Sequence, residues 1–304
     1  MALANPPSIL FVSVVGGPSM SRYFIDRWSS RVVLAFGITS FVVLVFIAGF
    51  IIRESMPALQ EVGIFRILFG TEWYPRYDKY GILTMVVGSV LVTIVSLGIA
   101  VPLSLGAAVL LAEVAPENVR RIVRPAIELL VGIPSVVFGL VGMVWLAPLI
   151  ADLGGKGSGS SVLAASIVLA VMVLPTITSI SEDSIRALPR TYKEGALALG
   201  ATHWQTIWRV LVPSAKRGIM AGAILGTGRA IGETMAMVMV IGNSPIFPSG
   251  LLSPARTLTG NIAVEIAAAV GTHQSVLYVT GLVLFVLVMI INSASVLAYK
   301  RKVD

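Results

Sequence analysis

The sequence predicts an all-α, polytopic membrane protein with six spanning helices, and three observations carry that reading. Of 304 residues, 56% are hydrophobic and only 12% charged, against about 25% charged in a soluble globular domain. So few charges cannot clothe a water-facing surface. Stretches with no or almost no charge, and long enough to cross a bilayer at about 20 residues each, recur six times. Between them the basic residues fall into two unequal groups, the pattern that orients a membrane chain.

The N-terminal elements come first. An apolar run at 9–15 has no basic residue ahead of it, so no cleavable signal peptide is expected, and Met20 is a candidate start of translation. Residues 1–31 read as a cytoplasmic N-terminal segment, 32–52 as the first span and 53–80 as an outer loop. The run 82–112 is too long for one simple crossing; either Pro102 kinks it or its last turns leave the membrane. The third and fourth spans are expected at 129–151 and 157–181. The fifth, 218–242, is interrupted only by Arg229 and Glu233. The last is expected at 274–299, before a tail at 300–304, so that 81–299 forms a five-helix core. Residues 257–272 are too short and too mixed to span, and read as a short outer helix or re-entrant element.

Apart from Arg229, fifteen Lys and Arg lie in connections on one side and six on the other. The richer side is expected to be cytoplasmic, with both termini inside. The same placement explains the net charge of +7 as a topology signal and argues for lipid, not nucleic acid, as the surrounding partner. The chain has no cysteine, so disulfides and thiolate metal sites are excluded. His203 and His273 are too far apart in sequence to suggest a metal site.

The connection 182–217 is the longest on the basic side. Thr191 to Glu194 fits a capping box, Gly200 supplies a helix stop, Thr202 to Gln205 fits a second box, and Pro213 is expected to end the second helix. Two short helices joined at a glycine and carrying Trp204 and Trp208 make a compact knob. It either rests on lipid or docks a partner. Spacing favours docking: Glu194-Gly195-Ala196, three residues, Gly200, nine residues, then Val210-Leu211-Val212-Pro213 resembles the EAA signature of ABC importer permeases. Gly195 replaces the middle Ala of that signature, and Val210 and Val212 replace Ile and Leu. The glycine-rich run 154–158 is no Walker A loop, because Lys156 is followed by Gly157. ATP therefore belongs to another polypeptide.

Arg229 falls twelfth in the 25 positions 218–242, near the bilayer midplane, where an isolated Arg costs about 2.5–3.5 kcal/mol on insertion scales. Glu233 follows at i+4 and is expected on the same helical face. The pair either neutralises itself structurally or serves an anion, since a guanidinium fork matches tetrahedral oxyanions and keeps its proton. Gly226, Gly228, Gly232 and Thr234 keep the surroundings small. Glu233 then holds Arg229 between transport events or accepts a hydrogen bond from a protonated oxyanion. Arg229, Glu233 and Thr234 are the candidate substrate-pathway residues. Glu128 is expected at the interface, and Asn292 in a helix–helix hydrogen bond. One Arg–Glu pair is no catalytic constellation, so no enzyme is expected.

Three runs, 130–139, 192–208 and 226–236, are similar to those of phosphate-specific ABC permeases, and the likeness extends from about Gly81 to the C-terminus. Val240-Ile241-Gly242-Asn243 and Arg256-Thr257-Leu258-Thr259 resemble the PstC type. The resemblance implies a type I ABC importer permease fold (MetI-like) in a prokaryotic plasma (inner) membrane. It implies a heterodimer with a PstA-type permease, a PstB-type ATPase dimer that holds ATP and magnesium, and a PstS-type phosphate-binding protein outside. The substrate would be inorganic phosphate, and this chain would bind no cofactor. Arg229, Glu233 and Thr234 would line its passage. Glu194, Gly195, Ala196, Gly200, Thr202 and Trp204 would belong to the coupling loop. A secondary anion transporter or channel is the alternative class, and the EAA spacing counts against it.

Overall fold

A computed structural model describes residues 20–152, 154 and 158–301, with side chains from 27 to 293. The segment 1–19, Lys156 with most of its glycine-rich run, and the last three residues lie outside the described residues. The chain divides into two units, 1–50 and 51–304.

The described part of the first unit is a single stretch of helix, the beginning of α1 (Met20–Glu61). The helix outruns the expected span 32–52 at both ends and carries Pro57 within its C-terminal part. From Val32 to Phe50 almost every side chain is exposed, Phe36, Phe41 and Phe46 among them. A helix apolar on all faces suits lipid.

The second unit begins with the end of α1. The expected outer loop is more ordered than a loop: α2 (Ile64–Phe69) leads into a two-strand hairpin, β1 (Trp73–Tyr74) and β2 (Lys79–Tyr80), paired antiparallel with Trp73 opposite Tyr80. Asp78 turns the hairpin with φ 52. Ala58, Ile67, Trp73, Tyr80, Ile82 and Met85 then pack with residues of the last helix in one apolar cluster.

Next, α3 (Leu83–Val109) runs with Pro102 inside it into a wide π turn, Leu110–Val114, so 83–114 is one long apolar helix. The expected third span is shorter than its apolar run. Ile133 and Pro134 adopt extended backbone and split it, because the residue before a proline avoids the helical region. On the N-terminal side of the split lies α4 (Glu117–Gly132), a separate amphipathic helix. On the C-terminal side, α5 (Ser135–Val141), a second π turn, Gly142–Leu146, and α6 (Ala147–Asp152) together make the crossing Ser135–Asp152.

Ser161 caps α7 (Val162–Arg186) by accepting from the Ala164 amide at 3.2 Å. This helix packs along α3 through small side chains; Ser104 Oγ donates to the Leu174 carbonyl at 3.1 Å. The main core gathers Val92, Leu169, Val173, Ile177, Met237 and Ile241 around that pair. After α7 come α8 (Arg190–Ala198), α9 (His203–Thr206), a third π turn at Ile207–Leu211 and α10 (Val212–Ser214).

The expected fifth span is broken. It consists of α11 (Lys216–Gly232) and α12 (Met235–Val240), with Glu233 extended between them. The 257–272 segment holds the short helix α13 (Leu258–Glu265), and α14 (Thr272–Arg301) is the last crossing. Among the described residues five helices are long and apolar enough to cross a membrane, and the broken one is not among them.

Candidate functional site

The break in the fifth span decides the geometry of the candidate pathway. Gly232 is a weak helix former, and at Glu233 the backbone swings to φ −68, ψ 133. The Glu233 carboxylate then turns back on the next segment, accepting from the amides of Thr234 at 3.0 Å and Ala236 at 3.3 Å. The expected i, i+4 pair with Arg229 is therefore not formed: the two residues do not share a helix, and the carboxylate satisfies the first amides of α12 instead. Thr234 Oγ1 donates to the Gly232 carbonyl at 3.2 Å, closing the bend.

Arg229 lies 13 positions into α11, about 20 Å along it at 1.5 Å per residue. No ion pair or hydrogen bond holds its guanidinium among the described residues. Its position belongs to the stripe Ala221, Leu225, Arg229 and Gly232, the less covered side of α11. The opposite side is tightly packed. A side chain added at Gly226 would stand 2.7 Å from Ile177 of α7, and one at Gly222 would crowd Ile180. These glycines serve helix contact, while Gly232 has open space beside it. Gly228 faces α14: Asn292 Oδ1 comes within 3.9 Å of its side-chain position, yet that buried oxygen has no partner. Among the described residues the expected helix–helix bond of Asn292 is thus not made by this oxygen, since glycine offers it no side chain and the helical amides are already engaged.

The expected coupling loop follows local rules closely, with two corrections. The first expected capping box is not formed, because α8 begins two residues earlier, after Pro189, whose fixed φ suits a helix start. Glu194 is left exposed, as is Gly195 beside it, with Ala196 half-buried. At the far end Gly200 has φ 83. Its amide donates to Leu197 O at 3.0 Å and the Ala201 amide to Ala196 O at 3.1 Å, the paired bonds of a Schellman stop. The second box forms fully, with the Gln205 amide on Thr202 Oγ1 and Gln205 Oε1 on the Thr202 amide.

Pro213 does not end that segment. The π turn ahead of it lets the Val212 amide reach back to Ile207 O, and Pro213 opens the last turn, where its missing amide proton costs nothing. Ile207, Leu211 and Ala215 anchor the loop against Ala108, Val109 and Ile185, and Lys193 Nζ meets Glu113 at 2.6 Å. The outward side is apolar: Leu199 is 91% exposed and Trp204 58%, with Trp208 nearby.

Two charged clusters were not anticipated. Glu182, expected as the first residue of the loop, is buried near the end of α7 at 1% side-chain exposure. It accepts from Arg120 Nε of α4 at 2.8 Å and lies 3.5 Å from Arg124. Arg124 also binds Asp183 at 2.9 Å and Glu128 at 3.0 Å, and the bond to Glu128 raises its already high pKa further. The 120–124 and 124–128 spacings were visible; the meeting with Glu182, 62 positions away, was not. At the opposite end Glu265 binds Arg256 at 2.6 Å, His273 at 2.9 Å and the Trp73 indole at 3.0 Å.

Comparison with known proteins bears on the family and the fold. Residues 100–303 match the family described as binding-protein-dependent transport system inner membrane component. The probable ABC transporter permease protein YqgH of Bacillus subtilis is 44% identical over 75% of this chain and 75% of its own. The phosphate transport system permease proteins PstC of Xylella fastidiosa and Pasteurella multocida are 38% and 33% identical, over 81% and 93% of this chain and 82% and 94% of theirs. Among solved structures, a bacterial ABC transporter for import of the polysaccharide alginate aligns with TM-score 0.65 at 14% identity, covering 92% of this chain and 99% of that one. The inward-facing MetNI methionine transporter aligns with TM-score 0.60 at 21% identity, over 76% and 99%. At these identities the structures speak for the fold, a type I ABC importer permease.

Proposed function

Because this chain belongs to the binding-protein-dependent transport system inner membrane component family, and to its PstC group, we propose that it forms half of the pathway of an ATP-driven inorganic phosphate importer. It is a permease subunit and not an enzyme; hydrolysis of ATP belongs to a separate ATPase subunit, with the nucleotide and magnesium held there. The other half of the pathway is a PstA-type permease, the motor a PstB-type ATPase dimer, and the donor of substrate a PstS-type binding protein. Both termini face the cytoplasm, on the count of basic residues, which puts α8–α10 inside and the hairpin and α13 outside.

The observation that carries the reading is Arg229: a guanidinium with no ion pair or hydrogen bond among the described residues, deep along a broken helix and on its less covered side. An always-charged fork at that depth is costly unless it meets water, an anion or a partner. Glu233 and Thr234 form the bend above it and line the same passage. Support for the motor comes from the knob of Leu199, Trp204 and Trp208, held rigidly by Gly200 and Thr202, with Glu194 and Gly195 open beside it.

The test is phosphate uptake by the complex reconstituted with its partners, with and without ATP. Uptake that requires ATP and is lost in Arg229→Gln at unchanged membrane abundance supports the reading. Uptake by this chain without the ATPase would favour the secondary-transporter or channel class instead.

A further inference from the structure

The bend at Glu233 is fixed from outside its own helix. The carbonyl of Glu233 lies beyond the last turn of α11 and has no helical donor; Thr259 Oγ1 donates to it at 2.9 Å. Thr259 is the second residue of α13 and 7% exposed. Its one hydroxyl proton is committed to Glu233, so in the 3.2 Å contact with Thr257 the proton comes from Thr257. Thr257 in turn caps α13 by accepting from the Gly260 amide at 3.0 Å, and Ser89 Oγ of α3 accepts from the Leu258 amide at 2.9 Å. The far end of α13 is tied down by Glu265 and its three partners. Ser89, Thr93, Thr257 and Thr259 also line a water-sized space of about 10 Å³ beside Glu233.

We propose that Thr259 is a positioning residue of the pathway: its hydroxyl holds the unwound Glu233 peptide in place, and α13 is the strut from which it acts. The inference rests on the reading of Glu233 and Arg229 as pathway residues, but its geometry does not. Without the hydroxyl, the Glu233 carbonyl and the Thr257 proton both lose their partner, and the bend gains freedom to wind into a continuous α11–α12 helix or to open.

The chain has no cysteine, so a single Cys at Gly232, where an added side chain meets nothing, reports on the bend in the reconstituted complex. The measurement is the rate at which a water-soluble maleimide labels this chain. Thr259→Val, which keeps shape and loses the hydroxyl, is expected to change that rate about fivefold, the population shift that one net hydrogen bond supports. Thr259→Ser should return the parent rate. A control Cys at Ser249, exposed in the loop before α13, should label alike in all three. An unchanged rate at 232, an equal change at 249, or a Ser variant that behaves as Val would each overturn the proposal. If the labelling pattern holds while the parent complex moves no phosphate, Thr259 keeps its role and the transport reading fails.

Discussion

The coupling loop and the broken span adjoin in sequence, yet they obey different rules. Between Arg190 and Ser214 the backbone is shaped by neighbours a few positions away: Pro189 starts a helix, Gly200 stops it, Thr202 and Gln205 start the next. Between Lys216 and Val240 the apolar run reads as one continuous helix, and the bend combines the local bonds of Glu233 and Thr234 with one supplied by distant Thr259. A docking surface has to keep its shape before its partner arrives, so local bonds serve it well. A substrate pathway has to alternate between states, and bonds supplied by another element can be exchanged as that element moves.

The sharpest way to break this contrast is at Arg229. Arg229→Gln should lower phosphate uptake by on the order of a hundredfold, the loss of two charge-assisted bonds, while membrane abundance stays normal. Arg229→Lys keeps the charge without the fork and should still lose on the order of tenfold. Near-normal uptake in the Gln variant would make Arg229 a structural residue and remove the pathway from this helix.

The loop is tested at Gly200. A side chain there meets no atom, so any harm is conformational. Val must be forced into a left-handed backbone at roughly 1–2 kcal/mol or more, turning α9 and its Trp away from the ATPase. Gly200→Val should abolish phosphate-stimulated ATP hydrolysis, whereas Gly200→Asn, which tolerates that conformation, should retain most of it. Equal hydrolysis in the two variants would mean that the loop is not the mechanical link.

Smaller effects separate local from distant support in stability alone. Glu182→Ala leaves Arg120 buried without its main partner, and the complex should unfold in detergent at a lower temperature, by about 3 kcal/mol of destabilisation. Thr202→Ala removes one cap and should cost only about 1 kcal/mol, read in the same melting experiment. A reversal of that order would place the loop, and not the α4–α7 contact, at the centre of stability at this end of the molecule.

The same division governs how much the sequence could tell. Apolar length pointed to the five helices long enough to cross a membrane, and composition singled out α13, because hydrophobicity and caps are local quantities. Apolar length could not see that Ile133 and Pro134 separate α4 from the third crossing, nor that Glu233 would cap α12 instead of pairing with Arg229. Both depend on which conformation the surrounding elements stabilise. Glu182 with Arg120, and Glu265 with Arg256, His273 and Trp73, join positions that only the folded chain brings together. Of the proposed pathway residues, Arg229 and Glu233 were legible as charges in an apolar run; Thr259 stood in a run marked only by its resemblance, with no charge to single it out.

The wide turn Ile207–Leu211 sets an angular phase. A helix advances about 100° per residue, and a π turn holds one residue more than the α-helical turn it replaces. Removing one residue from 207–211 would let the segment close as plain α-helix and rotate everything before it by more than a quarter turn relative to Lys216 and α11. Trp204 would swing to a new azimuth with its composition, caps and burial propensity untouched. The direction in which the loop addresses its motor is thus stored in the count of residues in one turn, and a single-codon deletion is the natural way to rewrite it.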